Sequence, residues 1–160
     1  MELPKRKPTR LKGYDYSTAG AYFITICVKD RKQLLSKIVG DDAHIVPKNE
    51  LSSYGLVCDT YINNINIKYE NVAVDKYVIM PNHIHLIIFL HGTMRASSAT
   101  KNIENIIRSF KTMVTKEIGN SIWQRSYHDH IIRGETDYQK IWEYIDTNVI
   151  RWEKDCFYND

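Results

Sequence analysis

The stretch Met80-Pro81-Asn82-His83-Ile84-His85-Leu86-Ile87-Ile88 constrains the fold of this chain more than any other. It joins two apolar segments, Val72–Met80 and His83–Leu90, which read as strands bracketing Pro81-Asn82. The residues following His85 are continuously apolar, the signature of a strand covered on both faces and therefore central in its sheet. On such a strand His83 and His85 project from one face with Cα atoms about 6.6 Å apart, while Ile84 and Leu86 enter the core from the other. Two imidazoles at that separation can converge on one divalent ion. A bare His-x-His is nevertheless common, and taken alone it more often marks two hydrogen-bonded histidines on a half-exposed strand.

The remaining periodicities surround this pair with an α+β pattern. Tyr22–Val28 is aromatic and β-branched and predicts a strand. Leu34–Val39 and Ala43–Val46 flank Gly40-Asp41-Asp42 as a hairpin. From about Ser52, the positions Tyr54, Val57, Cys58, Tyr61, Ile62 and Ile65 follow a helical stripe. Ile103, Ile106, Ile107, Phe110, Val114 and Ile118 mark a second helix, with Arg108, Lys111 and Lys116 off its apolar face. His130–Arg133 is a short strand. Thr136-x-x-Gln139 reads as a capping box opening a third helix, whose stripe is Tyr138, Ile141, Trp142, Ile145, Val149 and Trp152. After the hairpin is set aside, the order predicts a ferredoxin-like mixed sheet with its helices on one side, in a single domain over residues 1–160.

Composition excludes several classes. With 43% hydrophobic and 26% charged residues the chain reads as globular, and no apolar run approaches the ~18 residues of a membrane helix. Three cysteines lie far apart, which fits neither a zinc site nor a disulfide framework and points to a reducing, cytoplasmic setting. The net charge is only +3, yet residues 1–13 form a basic arm whose charges can follow a phosphate backbone, although charge alone more often marks a solvated, frayed terminus. On the third helix Tyr144, Asn148 and Arg151 recur at i, i+4, i+7 beside the buried stripe. Asn148 offers an amide oxygen and Arg151 a phosphate-binding fork. Spacing does not choose Tyr144 over Tyr138 as the reactive tyrosine. His128-Asp129-His130 reads as a polar cluster at a strand start.

Taken together, the motifs resemble the REP-associated and insertion-sequence-200-like single-tyrosine transposases of the His-hydrophobic-His nuclease superfamily. The likeness spans nearly the whole chain: Lys12-Gly13-Tyr14-Asp15-Tyr16-Ser17, Tyr22-Phe23-Ile24-Thr25, the histidine strand, Ser109-Phe110-Lys111, Trp123-Gln124-Arg125, and Tyr144-Ile145-x-x-Asn148. The resemblance implies that Tyr144 is the nucleophile, and that His83, His85 and Asn148 hold a magnesium or manganese ion. It also implies a single-stranded DNA substrate with a hairpin, a nucleoid-associated site of action in a prokaryotic cytoplasm, and a homodimer as one available assembly. Arg10, Lys12, Arg108, Lys111 and Arg151 are the candidate DNA contacts. The implied reaction is transesterification: Tyr144 attacks a phosphodiester, forms a 5′-phosphotyrosine and releases a 3′-hydroxyl. One phosphoester replaces another, so no nucleotide cofactor is needed, and the chain has no Gly-rich phosphate loop. The competing expectations are a hairpin-binding regulator that does not cut, a metal-dependent nuclease using water, and a replication initiator, which at 160 residues would lack its further domains. Val149 stands where similar sequences have proline, so the third helix is expected to run on towards Lys154.

Overall fold

The computed structural model describes residues 10–40, 45–92 and 102–159. Its elements are β1 (Gly20–Cys27), β2 (Ser36–Val39), β3 (Lys48–Leu51), α1 (Ser53–Lys68), β4 (Val72–Ile79), β5 (His83–Leu90), α2 (Ile103–Ile118), β6 (His128–Ile132) and α3 (Glu135–Asp146). Four strands form one sheet in the order β4-β5-β1-β6, and every pairing in it is antiparallel. With β2 and β3 apart as a separate hairpin, the core runs βαββαβ and the fold is α+β and ferredoxin-like. Among the described residues, no helix is long and apolar enough to cross a membrane.

The central strands explain the burial. Tyr22, Ile24 and Ile26 of β1 and Ile84, Leu86 and Ile88 of β5 face one side and pack into a core with α1 and α2. Those helices contribute Cys58, Ile62 and Ile65, and Ile103, Ile106, Ile107, Phe110 and Val114. Ser52 caps α1 by accepting from Gly55 N at 3.1 Å, and Asn102 caps α2 by accepting from Asn105 N at 2.8 Å. Gly119 closes α2 in the left-handed conformation.

Gly55 is required for space rather than for its dihedrals. A Cβ there would lie 2.1 Å from the carbonyl oxygen of Leu35. Gly55→Ala is therefore expected to lose about 3 kcal/mol of stability, despite alanine's better helix propensity, read as a lower urea midpoint at unchanged slope.

Four expectations are corrected. The hairpin pairs β2 with Lys48–Leu51, not with 43–46; Ser36 faces Leu51 in register. Asp41 to His44 lie outside the described residues, and Ile45 and Val46 are exposed. Pro47, which has no N–H, immediately precedes the true strand, and the Ser52 amide and hydroxyl bond back to Leu35 O, pinning that strand to the helix cap. The helices do not share one side: α3 lies on the opposite face, where Phe89 meets Tyr138 and His85 meets Tyr144. The capping box does not form. Gly134, at φ 89, is the N-cap without a side-chain bond, and Gln139 donates to Glu135 instead. Finally, α3 stops at Asp146 without a proline: Thr147 Oγ1 donates to Glu143 O, and a tighter turn carries Asn148 N to Ile145 O before a 3-10 turn at Trp152–Lys154. The predicted stripe is buried at Ile145 and Trp152, while Trp142 is exposed with Lys76 Nζ 3.6 Å over its ring.

Candidate active site

On the α3 side of the sheet, β5 opens with the histidine pair. His83 lies opposite Cys27 and His85 opposite Thr25, so β1 supplies the floor. Both rings are fully buried, with centroids 4.5 Å apart. Each has one nitrogen held: His85 Nδ1 lies 2.8 Å from Thr25 Oγ1, and His83 Nδ1 lies 2.8 Å from Asn82 Oδ1. Asn82 commits its NH2 group to the carbonyl of Phe157 at 2.7 Å, so its oxygen is free to accept. His83 therefore carries its proton on Nδ1 and presents the lone pair of Nε2.

Burial, opposed by the nearby Asp155 charge, pushes the His83 pKa down to about 4. Burial and the neighbouring His83 hold His85 well below the usual histidine range. Both rings are neutral at pH 7, the state in which imidazole binds metal.

The turn after α3 brings in the third polar group. Asn148 is 2% exposed and donates from Nδ2 to Asp155 Oδ2 at 2.7 Å. That bond fixes the amide, as Asn82 is fixed, and leaves Oδ1 as the free end. His83 Nε2, His85 Nε2 and Asn148 Oδ1 are all buried without a hydrogen-bond partner. Buried polar atoms are rarely left so, and three belonging to one site ask for a shared occupant. The donor set of two imidazole nitrogens and an amide oxygen suits a divalent ion.

Asp155 joins the site without belonging to any motif of the sequence. A carboxylate oxygen of Asp155 and a nitrogen of each histidine all lie within 4.8 Å of one another. Asp155 adds a negative charge to a ligand set that is otherwise neutral. Its position depends on the turns after α3, which break helical periodicity, so no spacing rule pointed to it.

Tyr144 completes the group. Its ring lies 5.2 Å from His85 and 6.2 Å from Phe23, and its hydroxyl donates to Asp155 Oδ2 at 3.1 Å. Burial and then the Asp155 charge raise its pKa above the ordinary tyrosine value. The residue is nonetheless 38% exposed, which leaves it open to a large substrate. Tyr138 is taken up elsewhere, its hydroxyl bonded to Asp75. Asp155→Ala is expected to lower the Tyr144 pKa without restoring it fully, since burial is the larger cause. Ultraviolet titration of the metal-free protein against Tyr144→Phe reads that change.

The candidate DNA contacts scatter. Arg10 is engaged: it donates to Asp129 and to Tyr127 O, each at 2.9 Å, and stacks 3.4 Å over the Tyr127 ring. Lys111 donates to the carbonyls of Gln124 and Ser126, and burial pushes its pKa down to about 8. Arg108 is exposed on α2. Lys12 lines a cleft with Arg133 and Asp137. Arg151 is exposed and lines another with Val149 and Tyr158. Of the basic arm, residues 1–9 lie outside the described residues. His130 pairs with Asp137 at 2.8 Å on the surface.

Comparison with known proteins gives a consistent picture. Residues 17–148 match the family described as IS200-like transposase. An uncharacterized protein of Haemophilus influenzae is 37% identical, covering 97% of this chain and 94% of that one. A second protein of the same organism, named provisionally as a REP-associated tyrosine transposase, is 27% identical over 86% of this chain and 74% of its own. Among solved structures, that of a REP-associated tyrosine transposase bound to a REP hairpin superposes with a TM-score of 0.63 at 21% identity, covering 95% of this chain and 74% of that one.

Proposed function

Because the chain belongs to the family of IS200-like transposases, we propose that it cuts and rejoins single-stranded DNA at hairpin-bearing ends, with Tyr144 as nucleophile. The observation that carries this reading is the meeting of a partly exposed tyrosine with three buried, partnerless ligand atoms, His83 Nε2, His85 Nε2 and Asn148 Oδ1. The names of the similar proteins, a REP-associated tyrosine transposase and one bound to a REP hairpin, support hairpin DNA as the substrate.

His83, His85 and Asn148, with Asp155 beside them, would hold a divalent ion. Such an ion supplies Lewis-acid polarisation of the scissile phosphate. The chain's own residues do the rest. Thr25 and Asn82 fix the two imidazoles, so the site is preorganised. The Tyr144 oxygen attacks phosphorus; its proton leaves towards Asp155 Oδ2, the oxygen already accepting it at 3.1 Å. The P–O3′ bond breaks, the 3′-oxygen takes a proton from water, and the 5′-phosphate stays on Tyr144 until a 3′-hydroxyl reverses the exchange. At pH 7, ionising even an ordinary tyrosine costs about 4 kcal/mol, and the raised pKa of Tyr144 adds to that. An acceptor already in contact with the hydroxyl, Asp155 Oδ2, offsets part of that cost as the proton leaves.

The test is an adduct assay. The protein is mixed with manganese and a labelled single-stranded hairpin from the flanks of its own gene, then run on a denaturing gel. A band at protein-plus-DNA mass is expected. Tight hairpin binding with no cleavage on any flank sequence would turn the reading to a regulator.

A further inference from the structure

The helix that carries Tyr144 is thinly anchored. Ile145 is the only buried residue of α3, and the helix starts at Gly134 without a side-chain cap. Its last residue, Asp146, puts a negative charge at the negative end of the helix dipole, and no basic residue of the last turn balances it. An acid there is unfavourable unless something else pairs with it.

The partner comes from β4. Its pairing with β5 shifts register between Val74 and Lys76, so Asp75 is an extra residue and the strand bulges. Val74 lies opposite Ile88 of the core face, whereas Lys76 lies opposite Ile87, which shares the face of His83 and His85. Strict alternation from Val74 would have sent Lys76 into the core and Tyr77 away from it. The bulge instead lets Tyr77 donate to Asp59 of α1 and turns Lys76 towards α3. Lys76 Nζ donates to Asp146 Oδ1 at 2.7 Å and lies 3.6 Å from the centre of the Trp142 ring. Asp75, beside it, accepts from Tyr138 near the start of the same helix.

Helical geometry gives the Lys76 grip a direction. At about 100° per residue, Trp142 and Asp146 lie about 40° apart, Ile145 about 80° round from them, and Tyr144 about 180°. Ile145 is thus the pivot against the sheet. Lys76 holds the flank towards β4, and Tyr144 stands on the opposite flank, over His85 and Phe23. A roll of about 10° moves a group about 6 Å from the helix axis by about 1 Å. A displacement of that size costs a reaction about 100-fold in rate.

We propose that Lys76 is a positioning residue for Tyr144: by holding Trp142 and Asp146 it fixes the roll of α3 that keeps the tyrosine over His85. The inference rests on the reading of Tyr144 as nucleophile and adds to it the group that aims it.

Single-turnover adduct formation on the full chain tests it, with manganese and the labelled hairpin beside the chain's own gene, titrated through saturation. Lys76→Met keeps an apolar stem beside Trp142 and removes the charge. Its rate at saturating DNA should fall about 10- to 100-fold, with the half-saturating concentration within about twofold. Its Tm should stay within about 3 °C of wild type, because an ion pair at the surface adds little stability. Asp146→Asn should be slowed comparably with Tm unchanged or raised, since it also takes the acid off the dipole's negative end. The double variant should be no slower than Lys76→Met alone. Lys76→Arg restores the pair and the ring contact, and should return the rate to within about fivefold of wild type. Lys140→Met removes the same charge from an exposed position of the same helix and should stay within about twofold. Four results would each overturn the role: a wild-type rate in Lys76→Met, equal slowing in Lys140→Met, no rescue by Lys76→Arg, or a raised half-saturating concentration at an unchanged maximal rate, the mark of a DNA contact. If the wild type forms the Tyr144 adduct while any of these holds, only the positioning role falls. If the wild type forms no adduct on any flank hairpin, the reading of Tyr144 falls and takes the inference with it.

Discussion

Tyr144→Phe is expected to abolish the covalent protein–DNA band and to slow strand cleavage at least about 10⁴-fold, while hairpin affinity stays within about twofold. The phenyl ring keeps its place over His85 and Phe23, and the variant loses a single hydrogen bond, to Asp155. Its stability should fall by about 1 kcal/mol, which leaves it folded and makes the comparison clean. Tyr138→Phe is the matching control, because that hydroxyl serves Asp75 on the surface. The adduct should survive there. Cleavage that persists in Tyr144→Phe without any adduct would assign the site to a metal-activated water and sink the tyrosine mechanism.

The second large effect concerns the ion. With manganese at a hundredfold excess over Kd, the wild type should gain about 2.7 kcal/mol, a rise in Tm of about 5–10 °C for a chain of this size. His83→Ala should show no rise and no cleavage. That substitution also orphans Asn82 Oδ1 and opens space between Trp152 and Phe157, so it lowers metal-free stability. Thr25→Val is the gentler companion. It keeps the shape of the floor and removes only the hydroxyl that steadies His85 Nδ1. Metal affinity should drop about 10- to 100-fold with the fold intact. An unchanged manganese shift in His83→Ala would remove the histidines from the metal site.

The parts legible in the sequence are those governed by local period. The alternation in β5 put His83 and His85 on one face and their apolar neighbours on the other, and the helical stripes located α1 and α2 to within a residue or two. What period does not encode is where one irregular segment meets another. Asp155 reaches Tyr144 and Asn148 through a turn and a 3-10 segment, so no i, i+4 rule connects them. Arg10 and Lys111 read as free cations because their partners, Asp129 and the carbonyls of Gln124 and Ser126, are brought to them only by the sheet and the loop before β6. The second strand of the hairpin is not legible at 43–46 because it is anchored by Ser52 at the α1 cap rather than by a tight turn.

The Asn82 amide ties the start of β5 to Phe157, a partner 75 residues further along the chain. At a synthesis rate of about 5–20 residues per second, that partner leaves the ribosome about 4–15 s after the strand it steadies. Throughout that interval Asn82 lacks the contact that selects the His83 tautomer, and for most of it Asn148 and Asp155 are themselves still to be made. The polar contacts of the site are thus completed only after β1, β4 and β5 have been made.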